Sequence, residues 1–181
     1  MISDGFWVFA YGSLLWKPGF EVAEARLGTL HGYHRSFCMT SIEYRGTPEK
    51  PGLVLALDAL EGATCTGLAY RVEAAQAEET YAYLTARELV TAAYRETRQT
   101  IALAEGGTVE AIAYVMDTAH GQYAGALPLD AQAKIIADAI GPSGPNAEYL
   151  HNTVAALGKL GIRDPDLEAL DRMVRARVGG E

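Results

Sequence analysis

Strand-like and helix-like segments are segregated along this chain, and that restricts the folds open to it more than any single motif does. The first two thirds carry short runs rich in β-branched and aromatic residues. The last third carries apolar residues at spacings of three and four. Sheets built from βαβ units need strand and helix to alternate, so the pattern predicts α+β rather than a doubly wound sheet. Several strand-like runs, such as "LVLALDA" (53–59) and "CTGLAYRV" (65–72), lack a polar face. Strands covered on both sides suit a curved or closed sheet wrapped by the helices. At 181 residues the chain is sized for one domain over 1–181, with residues 176–181 expected to form a flexible tail.

The expected strands are "WVFAY", "RLGTLHGYHRSFCMTSI" broken at Gly28 and Gly32, "LVLALDA", "CTGLAYRV", and a hairpin of "YRETRQTIAL" and "TVEAIAYVM". Between the second and third lies "EYRGTPEKPG" (43–52), a long loop of the kind that often carries function. Residues 74–89, "AAQAEETYAYLTAREL", form an inserted helix. Three more helices follow, the first two closing on Gly141 and Gly161 and the third beginning after Asp164-Pro165.

A formal charge of -8 with no basic stripe argues against a nucleic-acid partner. Two cysteines make no disulfide framework and fit a reducing compartment, so the cytoplasm is the expected location. No leader pattern is read at residues 1–16, and no apolar run is long enough for a membrane helix, so no membrane partner is expected. The four histidines show no metal-ligand spacing, so no metal is expected.

Within "FWVFAYGSLLW" (6–16), Gly12 and Ser13 interrupt an apolar run that has no need of them as a strand. Tyr11, Gly12, Ser13 and Leu14 either end the strand in a turn or present successive N–H groups and a hydroxyl to an anion. The stretch matches neither a P-loop nor a Gly-x-Ser-x-Gly elbow.

Glu88 lies seven residues, two helical turns, beyond Tyr81 and shares a face with Leu84. If that face is the core face, Glu88 points inward and burial raises its pKa towards that of a general acid/base. The alternative is a structural glutamate paired with Arg87 or Arg95. "GPSGPNAEYL" (141–150) is either a stop, a turn and a helix cap or a helix start whose free N–H groups hold an anion, with Tyr149 in the first turn.

Together "FAYGSLLWKPGF", "YRGTPEKPGLVLALD", "GLAYRV", "YLTAREL", "QYAGALPL" and "GPSGPNAEYLHNTV" resemble the ChaC branch of the γ-glutamylcyclotransferases, the glutathione-specific enzymes. The resemblance runs in order from about residue 6 to 170. It implies a γ-glutamylcyclotransferase-like β-barrel core with surrounding helices and cofactor-free lyase chemistry on glutathione, a small-molecule substrate. It also implies that Tyr11, Gly12, Ser13 and Leu14 bind the γ-glutamyl part, that Glu88 is catalytic, and that Tyr149 lines the pocket. Where relatives often carry Gly-Tyr after the glutamate, this chain has Ala93-Tyr94.

The expected reaction is attack of the γ-glutamyl α-amine on its own side-chain carbonyl, giving 5-oxoproline and cysteinylglycine. Glu88 serves as base and then acid, and residues 12–14 offer N–H groups to the α-carboxylate or to the oxyanion. Arg45, in the 43–52 loop, is the candidate for the glycine carboxylate. Alternatives are a cyclotransferase for another γ-glutamyl compound, a non-catalytic binder linked to cation transport, and a hydrolase using Ser13.

Overall fold

The computed structural model describes residues 2–179. It resolves into two compact units, one of Met1–Arg35 with Ala56–Gly121 and the other of Ser36–Leu55 with Gln122–Glu181.

The first unit is built on a closed barrel. Its strands are β1 (Phe6–Ala10), β2 (Glu24–Ser41), β3 (Gly52–Val72), β4 (Tyr94–Leu103) and β5 (Thr108–Met116), in the order β1-β3-β2-β4-β5. β1 runs antiparallel to β3, with Phe6 opposite Val72 and Ala10 opposite Leu68, and pairs with β5 in parallel through Trp7 and Val8. Antiparallel β4 and β5 form the expected hairpin, Tyr94 opposite Met116 and Ala102 opposite Thr108. The closure expected from the apolar strands is thus present, and it leaves the barrel no open edge.

Two expected boundaries are corrected. "LVLALDA" and "CTGLAYRV" are one strand of 21 residues, and the second strand is not broken at its glycines. Gly62 and Gly32 take left-handed φ values of 79° and 82° inside β3 and β2. Glycine pays no Cβ penalty there, so residues that read as turn makers are absorbed as bends in continuous strands. Gly67 has a different task. A Cβ on it would lie 2.2 Å from the Ala10 carbonyl oxygen, so its bareness is what lets β1 approach β3.

Helix α1 (Ala77–Glu88) follows a short 3-10 turn at Ala74–Gln76 and packs on the barrel. Its alanines and glutamates favour the helix, and its apolar face supplies Ala77 and Leu84 to a core shared with Val8, Ala10, Tyr70, Val72, Ile112 and Tyr114. The connection to β4 contains Ala92 at φ 58°, a left-handed backbone on a residue with a Cβ.

In the second unit, α2 (Leu129–Asp138), α3 (Asn146–Lys159) and α4 (Pro165–Val178) pack on one another. The first of them ends at Asp138 rather than at Gly141, because Ile140–Gly141 (β6) and Gly144–Pro145 (β7) make a two-residue hairpin. Gly161, at φ 70°, follows α3 as expected of a C-terminal glycine. Asp164 caps α4, its carboxylate accepting from the Leu167 N–H with Pro165 in the first turn. Of the tail expected at 176–181, residues 176–178 belong to α4, and 180 and 181 lie outside the described residues. No helix among the described residues is long and apolar enough to cross a membrane.

Candidate active site

The carboxylate singled out by helical spacing is the last residue of α1. Leu84, one turn earlier on the same face, is fully buried. Glu88 follows it inward, its side chain 13% exposed. Burial pushes the Glu88 carboxyl above the usual carboxylate range, and the Arg87 guanidinium, with Nε 3.2 Å from Oε1, offsets part of that rise. A carboxylate at the negative end of a helix is disfavoured further by the helix dipole. The pairing with Arg87 considered for a structural glutamate is therefore present, together with the raised pKa of an acid/base.

Arg87 also reaches well beyond its neighbour. One guanidinium nitrogen donates to the Pro18 carbonyl and the Tyr83 hydroxyl, each at 3.0 Å, and to the Lys17 carbonyl. The other donates to Ser13 Oγ at 2.9 Å. A single side chain thus ties the helix end carrying Glu88 to the segment 13–18.

That segment begins with the turn that interrupts the first apolar run. Gly12 stands at φ -135°, ψ -123°, outside the helical and extended wells, and Ser13–Leu15 form a 3-10 turn closed by the Leu15 N–H on the Gly12 carbonyl at 2.9 Å. Each flank is anchored. The Tyr11 hydroxyl donates to the Tyr114 carbonyl at 2.9 Å, and the Tyr11 carbonyl accepts from Arg35 at 2.7 Å. The Tyr70 hydroxyl donates to the Leu14 carbonyl at 3.2 Å. Arg35 also donates to the Thr66 carbonyl at 2.7 Å, which links the turn to β3. Among the expected site residues, Ser13 is thus joined through Arg87 to Glu88, with Tyr11, Gly12 and Leu14 beside it in the same turn of the first unit.

Arg45 and Tyr149 belong to the second unit. The Arg45 guanidinium donates to the Pro145 carbonyl at 3.0 Å and to Glu148 Oε1 at 3.3 Å, and lies 6.0 Å from the Tyr149 ring centroid. The Tyr149 hydroxyl accepts from the Leu55 N–H at 3.3 Å, and its ring meets Phe37 edge to face at 5.9 Å. Beside them Asn146, wholly buried, donates to the Leu53 carbonyl and accepts from the Leu53 N–H, as a neighbouring strand would.

Sequence reasoning passed over Arg35, Tyr70 and the reach of Arg87. Adjacency to Glu88 suggests only an ion pair for Arg87, and nothing in the spacing of Arg35 or Tyr70 connects them to residue 11 or 14. Among the described residues no group of three or more His, Cys, Asp and Glu is placed to hold a metal ion.

A family model described as ChaC-like protein matches residues 6–177. The chain belongs to this family. As a ChaC-like protein it is 42% identical over 164 residues to the glutathione-specific γ-glutamylcyclotransferase of Escherichia coli (strain K12), covering 91% of this chain and 70% of that one. To γ-glutamylcyclotransferase 2-3 of Arabidopsis thaliana it is 36% identical, covering 93% of this chain and 88% of the other. The crystal structure of a glutathione-specific γ-glutamylcyclotransferase from yeast superposes on the ChaC-like chain with a TM-score of 0.89 at 25% identity, covering 98% and 99% of the two chains. The expected family and barrel fold are therefore those of this protein.

Proposed function

We propose that this protein is a glutathione-specific γ-glutamylcyclotransferase in which Glu88 moves the protons. The observation that carries the mechanism is a carboxyl with a raised pKa, Glu88, tied through Arg87 to the Ser13 of the Tyr-Gly-Ser-Leu turn. The names of the relatives from Escherichia coli and yeast support the substrate.

In glutathione the glutamyl unit is joined through its side-chain carbonyl, so its α-amine can curl back on that carbonyl and form a five-membered lactam. The reaction is intramolecular and requires no nucleophile from the protein. Holding the folded conformer can be worth ~7–11 kcal/mol against a bimolecular reference. The proton count then defines what remains. The attacking nitrogen enters as an ammonium and ends as a lactam N–H, losing two protons, while the departing amide nitrogen gains two to leave as the ammonium of cysteinylglycine.

Glu88, ionised, takes a proton from the α-ammonium, which is mostly protonated at neutral pH with a pKa near ~8. Protonated, it gives that proton to the leaving nitrogen. A raised pKa serves both halves, because such a group is a stronger base when ionised and still holds a proton near neutrality. N–H groups of residues 12–14 meet the α-carboxylate or the developing oxyanion, where preorganised donors act most strongly. Tyr149 remains a substrate-contact candidate on the family resemblance, and Arg45 on its place in the 43–52 loop. For Arg45, an alanine variant should raise KM for glutathione more than it lowers kcat.

The test is purified protein with glutathione, following 5-oxoproline and cysteinylglycine by mass spectrometry beside a folded Glu88→Gln variant. Both products from the wild type and neither from the variant support the reading. Turnover only of other γ-glutamyl compounds would change the substrate, and equal turnover by the folded variant would remove Glu88 from the chemistry.

A further inference from the structure

The three N–H groups proposed to meet the substrate, those of Gly12, Ser13 and Leu14, each share a peptide unit with the carbonyl of the residue before. In a trans peptide the two groups point in opposite directions, and no peptide bond among the described residues is cis. Whatever holds the carbonyl therefore also aims the N–H.

The donors to these three carbonyls differ in kind. The Gly12 carbonyl accepts from the Leu15 N–H at 2.9 Å, and the Ser13 carbonyl from the Lys17 N–H at 2.8 Å and the Trp16 N–H at 3.3 Å. The segment thus aims the N–H groups of Ser13 and Leu14 with its own neutral amides. The Tyr11 carbonyl accepts from a cation on β2, Arg35, whose Nη1 lies at 2.7 Å. Arg35 is fixed in turn, because Nη2 donates to the Thr66 carbonyl on β3 at 2.7 Å and a planar guanidinium held at both arms cannot turn freely. A hydrogen bond from an ionised donor is roughly twice as strong as one between neutral groups. It also polarises the peptide it meets, drawing charge towards the carbonyl oxygen and leaving the N–H at the opposite end a better donor. Among the three, the Gly12 N–H is the one aimed and strengthened from outside the turn.

Resting on the reading that residues 12–14 donate to the substrate, we propose that Arg35 is a positioning residue for the reaction. Through the Tyr11 carbonyl it aims and polarises the Gly12 N–H, which makes this amide the principal backbone donor to the substrate's anionic oxygen. Its work is separate from that of Arg87, which holds Ser13 by the side-chain oxygen and stands beside Glu88.

The probe is 5-oxoproline, which carries both the α-carboxylate and the oxygen of the carbonyl that is attacked, and so presents either acceptor to the turn. Backbone amide resonances of wild type, Arg35→Met and Arg35→Gln are followed as 5-oxoproline is added to saturation, with kcat/KM for glutathione and thermal melts alongside. Met removes both arms of the guanidinium. Gln leaves a neutral donor in its place, and carries the test if the Met variant does not fold. In the wild type the Gly12 amide proton should move downfield furthest of the three. In each folded variant that movement should shrink while those of Ser13 and Leu14 are kept, and kcat/KM should fall about 10–100-fold, less than outright removal of an oxyanion donor. A loss carried by kcat supports the proposal with the oxyanion as acceptor, and one carried by KM supports it with the α-carboxylate. Equal shrinkage at all three amides would overturn it, since Arg35 would then brace the turn without aiming one donor, and so would unchanged kcat/KM in a folded variant. A wild type in which Ser13 and Leu14 respond and Gly12 does not would overturn the role of Arg35 alone. Silence at all three would instead reject the reading of the turn itself.

Discussion

Replacing Arg87 tests the link between the turn and Glu88 more directly than replacing either end. Arg87→Met keeps the buried stem, whose side chain is 17% exposed, and removes the donors to Ser13, Lys17, Pro18 and Tyr83 with the charge beside Glu88. A hydrogen bond to a charged group is worth about 1.5–3 kcal/mol, but four that share one guanidinium are not additive and the freed loop carbonyls can turn to water. The expected loss is about 2–4 kcal/mol, which for a chain of this size lowers Tm by roughly 4–16 °C. The charge has a separate effect. Loss of a cation 3.2 Å from Glu88 Oε1 raises the Glu88 pKa further, so the acidic limb of kcat/KM should move up by about one unit.

Arg87→Lys separates the two effects. A lysine keeps a positive charge near Glu88 but cannot span the loop carbonyls and Ser13 with one compact head, so Tm should fall while the acidic limb stays near its wild-type position. The measurements are thermal denaturation and the pH profile of glutathione turnover. An Arg87→Met protein melting within about 2 °C of the wild type, with its acidic limb unmoved, would refute both the tether and its electrostatic action.

Glu88→Gln should abolish turnover and stabilise the fold at alkaline pH. Because the folded carboxyl has a raised pKa, its contribution to stability is full below the unfolded value and lost as pH rises through the folded one. The Gln variant should therefore melt near the wild type at pH 4 and above it at pH 8, as read by paired thermal scans. Ala92→Gly relieves a left-handed backbone on a residue with a Cβ, at φ 58°, and should add about 1 kcal/mol in denaturant titration. Asn146→Ala leaves the Leu53 N–H and carbonyl unpaired in a wholly buried place, at a cost of about 2–5 kcal/mol measured in the same way.

The legible parts of this fold were those set by local periodicity. Helix α1 and the β4–β5 hairpin lie where spacing and turn residues put them. Spacing also gave Glu88 its inward direction, since Tyr81, Leu84 and Glu88 follow helical geometry. The continuity of β3 was not legible, because a glycine inside a strand and a glycine ending one look alike until the partner strands are known. Nor were the anchors of the turn. Arg35 and Tyr70 meet residues 11 and 14 only after the barrel has closed, and the pairing of Glu96 with Tyr114 exists only in the register of β4 on β5. The role proposed for Glu88 comes from the family resemblance, since geometry alone leaves it open between acid/base and ion pair.

The anchoring of the turn also bears on how such a reaction gains its rate. When nucleophile and carbonyl belong to one flexible molecule, the barrier depends on how narrowly the folded conformer is held. A site that must itself become ordered would return that advantage as entropy. In the proposed site the turn is already fixed by the fold, at Tyr11 by Arg35 and the Tyr114 carbonyl, at Ser13 by Arg87, and at Leu14 by Tyr70. These anchors come from β2, β5, α1 and β3, elements that share one barrel and the helix packed on it. Loosening any one of them without touching a reacting atom should therefore lower kcat along with stability. If the turn holds the γ-glutamyl unit as proposed, the barrel's closure, and not only the Tyr-Gly-Ser-Leu residues it displays, contributes to the rate.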